Sequence, residues 1–165
     1  MMGRVWKFGN NINTDEIIPG RFNITTDPKV LAQHCFCEVR PDFPSNVKVE
    51  DLIIAGENFG SGSSREHAPL AIKASGIKAI IAHSFARIFY RNAINVGLPV
   101  FISEEIYAQV RDGDPLEIDF KKFYLKDPKI ERIFPLQPLP LFILKIFRAG
   151  GIVPFLKKGN LEDLY

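Results

Sequence analysis

Short apolar runs alternate along the chain with amphipathic stretches, and polar or glycine-rich breaks separate them. Val5 to Phe8 reads as a first strand, followed by a polar turn, Asn10-Asn11-Ile12-Asn13-Thr14-Asp15. Residues 20 to 28 read as a loop, and Asp27-Pro28 opens a helix with proline at its first position, so Lys29 to Cys37 is expected to be helical. Pro41 to Asn46 looks irregular, and Val47 to Ala55 is expected to be a strand. Ala68 to Ser75, closed by Gly76, has the character of a helix. Ile77 to Ala82 is apolar enough over a short span to be a buried strand. Ser84 is placed to cap a helix that runs to about Asn95 and ends at Gly97, and Leu98 to Ile102 is another strand. A short helix is expected at Ser103 to Val110 and a turn at Asp112-Gly113-Asp114. Leu116 to Phe120 alternates apolar and acidic positions, as a half-exposed strand does, with Phe123 to Leu125 as its hairpin partner. Helices at Pro140 to Arg148 and Ile152 to Lys157 complete the chain. Strands alternating with helices, then a hairpin, specify an α/β domain with a mixed sheet flanked by helices.

The run Gly56-Glu57-Asn58-Phe59-Gly60-Ser61-Gly62-Ser63-Ser64-Arg65-Glu66-His67-Ala68-Pro69 joins a strand to a helix. Glycines there let the backbone approach a ligand closely, and the helix start offers free N–H groups that favour an anion. Serine hydroxyls and a guanidinium are the groups that hold a carboxylate or phosphate. The plain structural alternative is a capping box, with Ser63 as N-cap and Glu66 three residues on. The run lacks GxxxxGK[ST], so it is no Walker A loop. Gly60-x-Gly62-x-x-Arg65 puts arginine where a dinucleotide fingerprint has its third glycine, and no serine sits in a G-x-S-x-G elbow.

Phe59-Gly60-x-Gly62-Ser63-Ser64-Arg65-Glu66-His67 resembles the signature of the aconitase superfamily's swivel domain. Ser84 to Pro99 resembles a helix of the same family's small subunits, and Lys7-Phe8-Gly9 with Asn13 to Arg21 is a third match. The three fall in family order across residues 4 to 102, and the chain is similar in length to the stand-alone small subunits of the 3-isopropylmalate dehydratase branch. The resemblance implies a β/β/α swivelling domain of the aconitase C-terminal type over residues 1 to 165, with its core at 4–102 and a C-terminal hairpin and helices at 103–165. It implies the small subunit of a heteromeric hydro-lyase that isomerises 2-isopropylmalate and 3-isopropylmalate in leucine biosynthesis. A [4Fe-4S] cluster is then expected in a partner large subunit, with none bound by this chain.

Residue by residue, Ser63 matches the family's serine base and Arg65 a carboxylate-binding arginine. Asp15 matches an acidic active-site residue, with an Asx-turn or helix cap as its alternative. Ser64 is expected to touch substrate or shape the turn. Arg21 lies where the family carries another substrate arginine. Residues 20 to 26 correspond to the loop that meets the variable part of the substrate. The apolar Ile24 suits an isopropyl group better than the additional carboxylate of a homoaconitate-type substrate, and methyl-substituted malates stay open. His67 and His34 read as structural, His83 as a weak candidate, and Arg87 and Arg91, four apart, as structural or interface contacts.

Composition narrows the other classes. A net charge of +2 with no block of basic residues gives no reason to expect nucleic acid. Neither a signal peptide nor a membrane span is visible, so a cytoplasmic chain is expected. Two cysteines, Cys35 and Cys37, are too close in sequence for an ordinary disulfide and too few for a cubane cluster, and they read as reduced thiols. The partners expected are the large subunit and a small hydroxy-di- or tricarboxylate, with self-association of the isolated chain left open. A stand-alone anion- or nucleotide-binding module is the competing class.

Overall fold

The computed structural model describes residues 2–159. The chain runs β1 (Met2–Phe8), α1 (Thr14–Ile17), α2 (Pro28–His34), α3 (Phe43–Asn46), β2 (Leu52–Ala55), α4 (His67–Ala74), β3 (Ala79–Ala82) and α5 (Arg87–Val96). It continues through β4 (Val100–Ile102), α6 (Ile106–Gln109), β5 (Pro115–Asp119), β6 (Tyr124–Asp127), β7 (Arg132–Pro135), α7 (Leu141–Ala149) and α8 (Ile152–Lys158). The strands form one sheet in the order β4-β3-β2-β1-β5-β6-β7. β1 to β4 pair in parallel, and β5 to β7 extend the other side of β1 as an antiparallel meander. This is the mixed α/β architecture that the sequence pattern implied.

Both faces of the parallel half are covered, which is why β2 and β3 are unbroken apolar runs. Trp6, Phe8, Ile53, Ala55, Ile80 and Ala82 face the helical layer, where they meet Leu31, Ile72 and Phe89. Val5, Leu52, Ile54, Ala79 and Ile81 face the opposite way, toward Phe101, Ile106, Leu116, Leu125 and Phe134. Each buried isoleucine contributes roughly 1.5–3 kcal/mol of transfer free energy. Trp6, Phe8, Phe36 and Phe43 meet ring to ring at centroid distances of 4.2 to 6.3 Å and fasten the α2–α3 crossover onto β1.

Asp51 anchors the other end of β2. Its buried carboxylate accepts from the Arg4 N–H at 2.9 Å, the Trp6 indole at 2.9 Å and the Lys48 N–H at 3.0 Å. The expected strand from Val47 is therefore shorter. Asp51 N–H turns back to the Lys48 carbonyl, Glu50 has φ of +81°, and only Leu52–Ala55 pairs. Lys73 donates to the carbonyls of Val96 at 2.7 Å and Gly150 at 2.8 Å, tying α4 to the negative dipole ends of α5 and α7.

Other boundaries differ for local reasons. The helix expected to reach Cys37 ends at His34, because Phe36 adopts φ of +56°. Ser84 does not cap α5. Ala86 holds that position, and the Ser84 hydroxyl accepts from the Asn58 N–H instead. Gly97, as expected, and Gly150 end their helices in the left-handed conformation. Phe43–Asn46, expected to be irregular, makes one helical turn, and β7 adds a strand that the sequence pattern did not mark.

Replacing Asp51 with Ala strands the Trp6 indole N–H and two backbone N–H groups. Urea denaturation is expected to give a loss of about 3 kcal/mol with an unchanged m-value. A loss below 0.5 kcal/mol would show that water replaces the carboxylate.

Candidate active site

Beyond the ends of β1, β2 and β3 the backbone pairing continues into their loops. The Gly56 N–H donates to Gly9, Asn11 to Glu57, Gly60 and Ser61 to Ile12, and Thr14 to Ser61, at 2.7 to 3.2 Å. The Asn10 carboxamide oxygen accepts from the Glu57 N–H at 2.8 Å. On the other side, Phe59 donates to Ser84 and receives from Ala86. The glycine-rich loop is thus the middle ply of three loops at the carboxyl edge of the parallel strands, where open α/β sheets bind ligands. Two glycines are required there. Gly60 has φ of +80°, and a Cβ would overlap the Phe89 ring, while Gly62 has φ of +98° and lies over the Thr14 hydroxyl.

This loop does not form a capping box. α4 starts at His67 with Glu66 as N-cap and no side-chain cap bond, and the Arg65 N–H turns back to the Ser63 carbonyl at 2.8 Å. Ser63 is left to face the neighbouring loop. Its Oγ lies 3.4 Å from Thr14 Oγ1. The capping box of this region belongs to α1, where the Asn13 side chain accepts from the Glu16 N–H and the Glu16 carboxylate from the Asn13 N–H. Asp15 is therefore neither cap nor Asx-turn. Its carboxylate accepts from Arg65 Nη1 in a close ion pair, with Gly20 beside both.

The structure pairs Asp15 with Arg65 and sets Ser63 against Thr14, the residue before Asp15, with the exposed Ser64 next to Ser63 in the chain. It does not bring Arg21 to them. That guanidinium pairs with Glu38 at 2.5 Å and lies over Phe22, whose ring stacks on His34 at 3.8 Å. Ile24 projects from the following loop, 92% exposed. The His83 N–H joins the end of β3 to Ala55 and Gly56, and His67 opens α4. Arg87 and Arg91 line a separate cavity of about 230 Å³ with Tyr90 and Ser84. Thr14 is not singled out by the sequence. It stands inside the quoted Asn13-Thr14-Asp15 run, but only the fold reveals that its hydroxyl meets Ser63.

The donors of this chain do not fit a [4Fe-4S] cluster. Cys35 is fully buried, and burial pushes its thiol well above the usual range. Cys37 is half-buried and also raised, by burial first and then by Glu38. Among the described residues, no three His, Cys, Asp or Glu side chains gather to hold a metal ion. No helix among them is long and apolar enough to cross a membrane.

Fold and site together define an α/β domain that presents a glycine-rich loop bearing serines and an arginine at the carboxyl edge of its parallel strands. The aconitase C-terminal domain family matches residues 5–105. The isopropylmalate/citramalate isomerase small subunit of Methanocaldococcus jannaschii is 51% identical over 98% of this chain and 96% of its own length. The 3-isopropylmalate dehydratase small subunit of Thermodesulfovibrio yellowstonii is 50% identical over 98% of this chain and 97% of its own. A crystal structure of 3-isopropylmalate dehydratase from Methanocaldococcus jannaschii superimposes with a TM-score of 0.90 at 48% identity, covering 98% of this chain and 96% of that one. The chain belongs to the aconitase C-terminal domain family and, within it, to the small subunits of 3-isopropylmalate dehydratase, a hydro-lyase family.

The thiolate is the reactive form of cysteine, so raised pKa values slow both thiols at pH 8. A disulfide reagent is expected to label Cys37 slowly, faster with rising pH, and Cys35 only after denaturation. Rapid labelling of Cys35 in the native chain would contradict its burial.

Proposed function

We propose that this chain is the small subunit of a heteromeric hydro-lyase that interconverts 2-isopropylmalate and 3-isopropylmalate by loss and return of water, in the cytoplasm, in leucine biosynthesis. One observation carries the reading: α1 and the glycine-rich loop meet twice, through the Asp15–Arg65 ion pair and through the Ser63 hydroxyl 3.4 Å from that of Thr14. It occurs in a chain half identical, over nearly its full length, to proteins named for that activity. Residues 1–165 act as one swivel domain docked against a large subunit.

The reaction needs cations for the substrate carboxylates, a base for the proton on the carbon beside a carboxylate, and an acceptor for the leaving hydroxyl. Arg65 supplies the first. Asp15 holds one terminal nitrogen and so orients the guanidinium plane, leaving its other N–H groups for a carboxylate. Ser63 supplies the second. It enters as the alkoxide, takes the carbon-bound proton as those electrons form the double bond, and returns it on rehydration. A [4Fe-4S] cluster held by the large subunit, as the resemblance implies, would supply the Lewis acid for the leaving hydroxyl.

Ser64 hydrogen-bonds the substrate or shapes the turn. Arg21 takes the second carboxylate once it releases Glu38. Ile24 meets the isopropyl group, and its 92% exposure is what a residue awaiting a cover would have. Methyl-substituted malates form the second substrate class, because the Methanocaldococcus jannaschii relative is named for citramalate as well. Substrates with an additional carboxylate rank behind, since that group wants a cation where Ile24 stands.

The test is anaerobic. The chain is mixed with a cluster-loaded large subunit, and absorbance of the unsaturated intermediate is followed with 2- or 3-isopropylmalate. Turnover is expected only with both chains. Ser63→Ala is expected to abolish it with assembly intact, and Arg65→Lys, which loses the planar fork, to raise KM about 30-fold. Near-normal turnover by Ser63→Ala would overturn the serine-base mechanism. Binding of phosphate or nucleotide by the chain alone, without turnover in the mixture, would favour the stand-alone module.

A further inference from the structure

Thr14 is a buried polar residue, 2% exposed, at the first position of α1. Its N–H donates to the Ser61 carbonyl at 2.9 Å. Its hydroxyl has two partners, both on Ser63: the carbonyl oxygen at 3.4 Å and Oγ at 3.4 Å. A side chain at position 62 would press on that hydroxyl, 3.3 Å from Oγ1. The backbone is therefore shaped to let Thr14 reach beneath the loop to Ser63.

A buried hydroxyl donates its one proton to the strongest acceptor within reach. While Ser63 is neutral, its carbonyl and its Oγ compete on similar terms at equal distances. Once Ser63 Oγ is charged, it becomes the stronger acceptor by far. Hydrogen bonds at catalytic groups are commonly long before the reacting complex forms and shorten within it.

We propose that Thr14 is a positioning residue for Ser63. Its hydroxyl turns from the Ser63 carbonyl to Ser63 Oγ as that oxygen becomes negative, fixes its direction and stabilises the alkoxide. Thr14 keeps its proton throughout and changes only the acceptor. The inference rests on Ser63 being the base. Arg65 Nη1 is engaged by Asp15. Among the described residues, the Thr14 hydroxyl is the side-chain group in contact with Ser63 Oγ, and the burial of Thr14 keeps it away from water.

The test uses the reconstituted two-subunit enzyme with Thr14→Val, Thr14→Ser, Thr14→Cys and Ser63→Ala. Removing one hydrogen bond to a charged oxygen is expected to lower kcat of Thr14→Val about 30-fold, with KM within about threefold. Thr14→Ser restores the hydroxyl and is expected within about threefold of the unmodified enzyme. Thr14→Cys keeps a weak donor and is expected about tenfold down, and it reads the same bond if the valine chain fails to assemble. In a Ser63→Ala background, Thr14→Val is expected to cause no further loss, since its effect passes through Ser63. An unaltered kcat for Thr14→Val, or for Thr14→Cys where it must stand in, alongside an inactive Ser63→Ala overturns the Thr14 role and leaves the serine base standing. Equal slowing by Ser and Val reduces Thr14 to packing and likewise overturns it. An active Ser63→Ala enzyme removes the base itself, and the Thr14 role falls with it.

Discussion

Pairing between β1 and β2 does not stop where the strands stop, and the site depends on that continuation. The backbone bonds from Gly56 to Gly9, Asn11 to Glu57, Gly60 to Ile12 and Thr14 to Ser61 carry the parallel register into two loops. Each contributes about 1 kcal/mol net, but together they fix the two loops in one arrangement. That arrangement sets α1 against the turn before α4, so that a carboxylate from one loop meets a guanidinium from the other. The left-handed glycines at 60 and 62 belong to the same constraint, because side chains there would collide with Phe89 or crowd Thr14.

Magnitudes separate what the ion pair does from what holds the fold. Asp15 is 63% exposed and Arg65 24%, and such pairs are worth roughly 0–1 kcal/mol of stability. Orientation is the larger effect. An unrestrained arginine carries about 2 kcal/mol of rotamer entropy, and holding it beforehand reduces the cost of binding a carboxylate. The open face sets the opposite limit. Two unit charges 4 Å apart attract by about 1 kcal/mol in bulk water and about 4 kcal/mol at an effective dielectric of 20. A serine alkoxide beside Ser64 and Asp15 in water gains little from its surroundings. A covering partner is therefore a physical requirement of the proposed chemistry as well as an implication of the family.

Much of this was legible in the sequence. Apolar runs in β2 and β3, the glycine-rich loop between strand and helix, Pro28 at a helix start and glycines at two helix ends each reflect local physics. Ser63, Arg65 and Asp15 were singled out through motif resemblance, and the fold sets the loop of the first two against the loop of the third. What the sequence hid was competition for the same polar groups. Ser63 and Glu66 have the spacing of a capping box, yet a turn from Arg65 back to Ser63 delays the helix to His67. Ser84 has the look of a cap but is taken by Asn58 across the loop. Val47 to Asp51 has strand-like residues, and a buried carboxylate forces it into a turn instead. β7 escaped because Arg132 and Ile133 face solvent and Pro135 ends it, leaving little apolar alternation to read. The resemblance gives Arg21 a substrate role, and only the fold reveals Glu38 within reach of it.

Native-state hydrogen exchange on the isolated chain tests the central claim most directly, reading the amides of Thr14 and Gly60. If the loop pairing pre-forms the site, these protons exchange slowly, alongside those of Ile53 and Ile54 in the core of β2. Exchange as fast as that of the exposed loop around Ile24 would mean that the site takes shape only when the partner binds.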